Sequence, residues 1–454
     1  MFKKILIANR GEIALRIIRT CRVMGIETVA VYSEGDADML HVKLADEAYC
    51  IGPNEPKSSY LNIFSILSTA CLAGVDAIHP GYGFLSENED FQRACQYAGI
   101  VFIGPEENSF QILADKGKAK EFMKNSGIPT IPGSESNLKN VEEAIDWADK
   151  VGYPVLIKAA YGGGGRGIRR ADNPEDIRRE YPLVQKEAKL AFGKEEIYLE
   201  KLILSPRHIE VQILRDKFGN TVSLYERECS LQRKNQKVLE EAPSPFVDNE
   251  LRRKLSECAC KIADITNYLN AGTIEFLLDE NKNFYFMEMN TRIQVEHPVT
   301  EMITGIDIVK EQIRIAQGQA LSFKQEEIPI LGHAIELRIN AENPENNFCP
   351  CPGHVHYFSA PAGFNVRFDS YLTPECKVSP YYDSMIGKLI VLGNTRLEAI
   401  RRARGAIEET IIDGITTNLA LQYTLLHDAD FIKAKMDTGF MDRKINDFLE
   451  RMKI

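Results

Sequence analysis

Among the ten cysteines of this 454-residue chain there is no C-x-x-C pair. Only Cys258 with Cys260 and Cys349 with Cys351 lie close together, with one residue between the members of each pair. That spacing argues against a zinc or dithiol redox centre and for scattered structural thiols in a reducing compartment. Long hydrophobic runs are missing as well. None approaches the roughly 18 apolar residues that a membrane span needs, and the apolar start of the chain breaks at Asn9-Arg10, too early for a secretory leader. A cytoplasmic protein without membrane partners is expected. A basic excess is also absent. Lys and Arg number 55 against 65 Asp and Glu, for a net charge of −10. This excludes a general nucleic-acid-binding surface, though not a local basic pocket. Gly and Pro are too few for long disorder, and no repeat or low-complexity tract occurs.

What remains is an ordinary soluble composition, 44% apolar and 26% charged. The length calls for roughly two to four domains. The run Lys4 to Ala8 reads as a buried strand. Gly11 opens a turn, and Ile13, Ile17, Ile18, Cys21 and Met24 recur at helical spacing up to Gly25. Thr28 to Tyr32 reads as the next strand, which makes a β-α-β unit of the doubly wound kind. Val75 to Ile78 leads into His79-Pro-Gly-Tyr-Gly83, and Ile100 to Ile103 into Gly104-Pro105. Strands ending in such loops predict a parallel sheet whose functional edge lies at the loops. The expected organisation is a doubly wound domain over 1–113, a helical link over 114–130, a small insert domain over 131–203, and a larger unit of strands and helices over 204–454. Helices are expected around Asn173 to Leu190, Arg396 to Glu409 and Phe440 to Met452.

Two patterns carry chemistry. The first is Tyr161-Gly-Gly-Gly-Gly-Arg166-Gly167, after a strand ending in Lys158. Four glycines remove every Cβ, so backbone N–H groups can wrap phosphate oxygens, with Lys158 and Arg166 adding charge. The loop is neither a Walker P-loop nor a Rossmann fingerprint. Over phosphates, it suits a lid that excludes water.

The second pattern lies at 272–298. Thr273 to Leu278 and Phe284 to Asn290 read as a hairpin around the polar turn Asp279 to Asn283. A turn centred between Asn281 and Lys282 puts Glu275 opposite Glu288. Alternation places Glu288 and Asn290 on one face with Phe284 and Phe286. Opposed carboxylates repel unless a divalent cation lies between them, and oxygen ligands suit Mg²⁺ or Mn²⁺ completed by ATP phosphates and water. If the chain stays extended, Arg292, Gln294 and Glu296 continue the Glu288 face. An anion binder and a base would then stand beside the γ-phosphate. A surface Arg/Glu ion pair is the plainer reading of that last stretch taken alone.

These residues resemble the ATP-grasp superfamily: Lys158, the Gly162–Gly165 loop, Glu200-Lys201, Glu275 and Glu288-x-Asn290. The stretch Met287 to Glu301 is similar to that of biotin carboxylases and carbamoyl-phosphate synthetase relatives. Ile7 to Ala14, His79 to Asn88, Pro206 to Gln212, Gln236 to Pro243 and Tyr381 to Lys388 narrow the resemblance to biotin carboxylases over almost the whole chain. It implies a multidomain α/β and α+β fold. A doubly wound N-terminal domain is joined by an ATP-grasp lid and central domain, and by a C-terminal domain completing the ATP, metal and biotin sites.

Residue by residue, the resemblance implies that Lys116 and Lys158 bind ATP phosphates under a lid loop containing Gly164 and Gly165. Glu200, Lys201, Leu202 and Ile203 match the adenine-reading hinge, largely through backbone groups. His208 and Gln232 match ribose contacts, and Asn235 and Leu277 further nucleotide contacts. Glu275, Glu288 and Asn290 match ligands of Mg²⁺ or Mn²⁺, two ions in all. Lys237, Arg292, Gln294 and Val295 match the bicarbonate pocket, Glu296 the base, Arg338 the residue stabilising the biotin enolate, and Tyr82 a ureido-ring contact. Bicarbonate would attack the γ-phosphate to give carboxyphosphate, whose breakdown products carboxylate biotin. The resemblance also implies a homodimer, a separate biotin carboxyl carrier protein and a carboxyltransferase subunit of an acyl-CoA or pyruvate carboxylase. Three departures stand out: Asn235 where many relatives carry histidine, four glycines where some show five, and Cys351 where serine is frequent. Two rival readings are another ATP-grasp ligase with a different acceptor, and a non-catalytic nucleotide-sensing subunit.

Overall fold

The apolar run at Lys4–Ile7 lies at the centre of a five-stranded parallel sheet ordered Glu47–Gly52, Glu27–Ser33, Lys4–Ile7, Ala77–His79, Val101–Phe102. The computed structural model describes residues 1–113, 116–134, 138–159, 168–192 and 196–452, with the side chains at 108, 110–111, 116–118, 159 and 190–192 outside that description. Ile5, Leu6 and Ile7 are wholly buried, as a strand covered on both faces must be. The helix Gly11–Val23 lays Ile13, Ile17, Ile18 and Cys21 into the same core.

Strand order reverses between Lys4–Ile7 and Ala77–His79, which opens a crevice at their carboxyl ends. Asn9 to Glu12 and Pro80 to Tyr82 meet there. Asn9 Nδ2 donates to the carbonyls of Pro80 (2.8 Å) and Tyr82 (2.7 Å). This approach needs Gly81, whose φ is +64°. A Cβ there would stand 3.0 Å from Asn9 Nδ2 and 3.1 Å from Ile13.

A three-stranded antiparallel sheet, ordered Ile168–Ala171, Val155–Ala159, Ile197–Lys201, packs against the helices Val141–Val151 and Pro174–Phe192. The rest of the chain is built on an eight-stranded antiparallel sheet. Its order is Phe284–Asn290, Asn270–Leu278, Arg207–Arg215, Thr221–Arg233, Gln236–Ala242, His333–Asn340, Met385–Gly393, Val366–Ser370. One face is apolar. It carries Ile209, Val211, Ile274 and Phe276 under the helix Asn249–Ile265, and Leu239, Leu337 and Leu389 under the helix Arg396–Glu409. The other face carries charge along its middle strands and looks toward the N-terminal crevice. No helix among the described residues is long and apolar enough to cross a membrane.

Candidate active site

The register of the long sheet aligns acids and a base across four strands. Glu288 pairs with Glu275, Glu275 with Glu210, and Glu210 with Arg227. The facing of Glu275 and Glu288 read from the turn is therefore present, but the face assignment of the neighbouring phenylalanines is corrected. Pairing shifts by one residue between Glu275 and Phe276, leaving Met287 as a bulge. Phe284 and Phe286 consequently pack into the apolar core with Phe276, while Glu288 and Asn290 turn to the polar face with Glu275. A second bulge does the same for Lys237. Leu231 pairs with Leu239 but Gln232 with Lys237, so Val238 is the extra residue and the Lys237 side chain leaves the face of Leu239.

The chain does not stay extended beyond Asn290. It bends through 291–296 into the helix His297–Thr304, so Arg292, Gln294 and Glu296 arrive by a turn and not along a strand. They are gathered all the same. Arg292 donates to Asn290 Oδ1 (3.2 Å) and Gln294 Oε1 (3.0 Å), and pairs with Glu87 at 2.9 Å. Asn290 and Gln294 both donate to Glu275 Oε1, at 2.8 and 3.3 Å. His208 Nε2 lies 3.1 Å from Glu275 Oε2, and its other ring nitrogen meets the Gln232 amide at 2.7 Å.

Lys237 is the hub. Its ammonium reaches Glu210 Oε2 (2.6 Å), Glu296 Oε1 (2.5 Å) and Glu275 Oε1 (3.3 Å). Arg338 bridges Glu240 and Glu296, meeting the latter at 2.9 Å. Burial pushes the Glu296 carboxyl up, yet Lys237, Arg338 and Arg227 outweigh it and hold the group well below the usual carboxylate range. Burial likewise raises Glu275, and Lys237 with His208 bring it down far below its ordinary value. Both acids are thus ionised acceptors at neutral pH. Burial would lower Lys237, but the three glutamates raise it well above its usual value, so its charge is fixed.

Lys158 projects from the face of its strand that carries Leu156, opposite Glu200, and both Lys158 and Lys120 bind the Glu200 carboxylate. The Lys201 and Leu202 N–H groups donate to the Pro132 and Pro154 carbonyls at 2.8 and 3.1 Å, where the chain leaves that sheet toward Ile203. Leu277 is half-buried, in register with His208. Val295 presents its carbonyl to Lys388 at 2.8 Å. Lys116 opens a helix with its side chain outside the described residues, and Gly164 and Gly165 also lie outside them. Asn235 is exposed at a two-residue hairpin tip, with φ of +49° at Lys234 and +64° at Asn235. That tip favours asparagine for its backbone conformation. Sequence reading missed Lys120, Glu210, Arg227 and Glu240. Glu210 sits mid-strand between Ile209 and Val211, which was a signal for buried charge.

Three family models match in sequence along the chain. They are the N-terminal domain of biotin carboxylase over residues 1–110, the ATP-binding domain of the carbamoyl-phosphate synthase L chain over 115–324, and the biotin carboxylase C-terminal domain over 336–443. Biotin carboxylase 1 of Bacillus subtilis is 52% identical over 443 residues, covering 97% of this chain and 98% of that one. The chain belongs to the biotin carboxylase family. The small subunit of 2-oxoglutarate carboxylase from Hydrogenobacter thermophilus, another relative, is 50% identical over 97% of this chain and 93% of its own. A crystal structure of the biotin carboxylase domain dimer of that enzyme, in complex with MgADP, ADP and bicarbonate, matches with a TM-score of 0.90. It is 49% identical and covers 99% of both chains. The fold of that biotin carboxylase domain is thus shared across the full length.

Proposed function

We propose that this chain is a biotin carboxylase that uses MgATP and bicarbonate to carboxylate biotin held on a separate carrier protein. One observation carries the reading. The ionised Glu296 sits between Lys237 and Arg338, beside the facing Glu275 and Glu288 carboxylates. A base, two fixed cations and a pair of hard oxygen donors therefore share one cleft.

The donor set fits a hard dication. Glu275 and Glu288 face each other in register, Glu275 is held ionised, and Asn290 adds an amide. Glu275, Glu288 and Asn290 would hold Mg²⁺ or Mn²⁺, two ions in all. When bound, the metal neutralises charge on the nucleotide's phosphates.

The chain's own groups then act in order. Lys116 and Lys158, with the loop of Gly164 and Gly165, hold the phosphates. Glu200 to Ile203, His208, Gln232, Asn235 and Leu277 hold the nucleoside. Lys237, Arg292, Gln294 and Val295 hold bicarbonate. Glu296 takes its proton, and the oxygen attacks the γ-phosphorus to give ADP and carboxyphosphate. Lys237 and Arg292 offset the charge that gathers there. Carboxyphosphate releases CO₂ and phosphate, phosphate takes the biotin N1′ proton, and Arg338 stabilises the enolate beside Tyr82. Carbon dioxide then forms the new C–N bond. Closure of the lid over the phosphates keeps water from carboxyphosphate.

The same reading assigns 1–113 to the doubly wound domain, 114–130 to the link, 131–203 to the lid and 204–454 to the remainder. It makes the protein a cytoplasmic homodimer that serves a biotin carboxyl carrier protein and a carboxyltransferase. ADP release from the purified chain with Mg²⁺, ATP and bicarbonate tests the reading. Stimulation by free biotin or by a biotinylated carrier supports it, and turnover indifferent to both contradicts it.

A further inference from the structure

A lysine in the middle of a sheet strand with none of its side chain exposed is unusual, because an ammonium loses several kcal/mol of hydration on burial unless partners replace it. Lys388 is such a residue. It lies on the strand Met385–Gly393, paired with Arg338 on one side and Asp369 on the other, and its side chain is fully buried. Its ammonium donates to the Val295 carbonyl at 2.8 Å and meets Glu12 Oε1 at 3.1 Å. The same Glu12 oxygen accepts the Tyr82 hydroxyl. Glu12 lies in the first turn of the helix Gly11–Val23, and Tyr82 follows the strand Ala77–His79. Both therefore stand at the reversal point of the N-terminal sheet.

We infer that Lys388, acting through Glu12, is a positioning residue that sets the Tyr82 hydroxyl and the turn of Gln294 to Glu296 as one unit. The inference rests on the proposed biotin and bicarbonate sites. Four separate segments converge on one ammonium and one carboxylate. The Val295 carbonyl lies between Gln294, which donates to Glu275, and Glu296, which is held by Lys237 and Arg338. Fixing that carbonyl fixes the backbone from which both side chains project. The Glu12 end fixes the hydroxyl of a half-buried ring on the other wall of the cleft. Burial, with Glu12 second, pushes the Tyr82 phenol well above its ordinary value, so the hydroxyl stays the donor. An apolar side chain of Lys388's length would fill the volume but could orient neither wall. The ion pair thus supplies direction between two domains more than bulk stability.

A double-mutant cycle of Tyr82→Phe and Glu12→Gln on the full chain decides it, read as steady-state constants with MgATP, bicarbonate and free biotin. Each single change is expected to raise KM for biotin about 10-fold, the worth of one charge-assisted hydrogen bond, with KM for ATP moving less than about 2-fold. The double variant is expected to be no worse than the poorer single one, because both remove the same link. Lys388→Met is expected to lower kcat about 10-fold or more while ADP affinity by calorimetry stays unchanged, since the turn of 294–296 loses its anchor. If Lys388→Met fails to fold, the Tyr82 and Glu12 cycle still decides. Effects that multiply in the double variant, or equal rises in KM for ATP and biotin, overturn the inference. A wild-type chain indifferent to biotin and carrier sinks the biotin reading and this inference with it. A responsive wild type with a multiplicative cycle overturns the inference alone.

Discussion

The charged face is dominated by a few side chains, each holding several partners. Lys237 touches three glutamates, and Arg338 spans Glu240 and Glu296. The facing of Glu275 and Glu288 is read from a turn centred between Asn281 and Lys282, yet the pairs beside the turn, Leu278 with Phe284 and Phe276 with Phe286, would alone set Glu275 opposite Met287, and the bulge restores the expected facing. Glu210 and Glu240 could not be read that way. Their partners lie on strands separated by 17 to 98 positions, and nothing local announces such pairs. At this scale two variants separate the proposed steps. Glu288→Gln keeps size and loses the charge, so it should lower metal-dependent turnover about 100-fold or more with an unchanged circular-dichroism spectrum and melting curve. Near-normal activity would remove the carboxylate pair from the account. Arg338→Ala should depress biotin carboxylation at least about 10-fold more than bicarbonate-dependent ATP cleavage, because the enolate arises only in the second step. Equal losses in both assays would deny Arg338 that role.

Among elements, the irregularities deliver the site. Strict alternation would send Glu288 to the core with Phe286, and Lys237 to the core with Leu239. The bulges at Met287 and Val238 turn both to the polar face. Bulges carry no composition signal, so the strands Asn270–Leu278 and Phe284–Asn290 were legible while the correct face of their last residues was not. The bend at 291–296 was likewise unreadable, since His297-Pro298 starts a helix that an extended reading runs through. The opposite face of the sheet has its own charged lock. Glu241 is wholly buried and binds His333 at 2.6 Å and Arg396, on the covering helix, at 2.6 Å. Burial pushes its carboxyl up, but Arg396 and His333 prevail and bring it from 4.5 to about 2. A lowered folded value contributes stability above the ordinary carboxylate range and loses it as pH falls through that range toward about 2. Glu241→Gln should therefore cost roughly 3 kcal/mol in urea unfolding at pH 7, a gap that narrows below about pH 4. A gap independent of pH would show that the ionised form is not what the lock holds.

Across the whole molecule, the doubly wound start was readable because a fully covered parallel strand is one unbroken apolar run, as at Lys4–Ile7. The order of the eight-stranded sheet was not readable. His333–Asn340 pairs with Gln236–Ala242 across 92 to 98 positions, Met385–Gly393 and Val366–Ser370 add on beyond it, and pairing at the first distance leaves no trace in composition. That sheet sets Arg338 and Lys388 side by side and turns them toward Tyr82 of the N-terminal crevice, so the proposed biotin site exists only in the assembled chain. The central claim is that bicarbonate, deprotonated in this cleft, attacks the γ-phosphorus of ATP. The most direct measurement supplies ¹⁸O-labelled bicarbonate with MgATP and biotin and analyses the released phosphate by mass spectrometry. Attack by bicarbonate leaves one of its oxygens on phosphorus, so labelled phosphate should appear in step with ADP. Unlabelled phosphate, its one new oxygen drawn from solvent, would mean that water is the nucleophile, and would contradict the account.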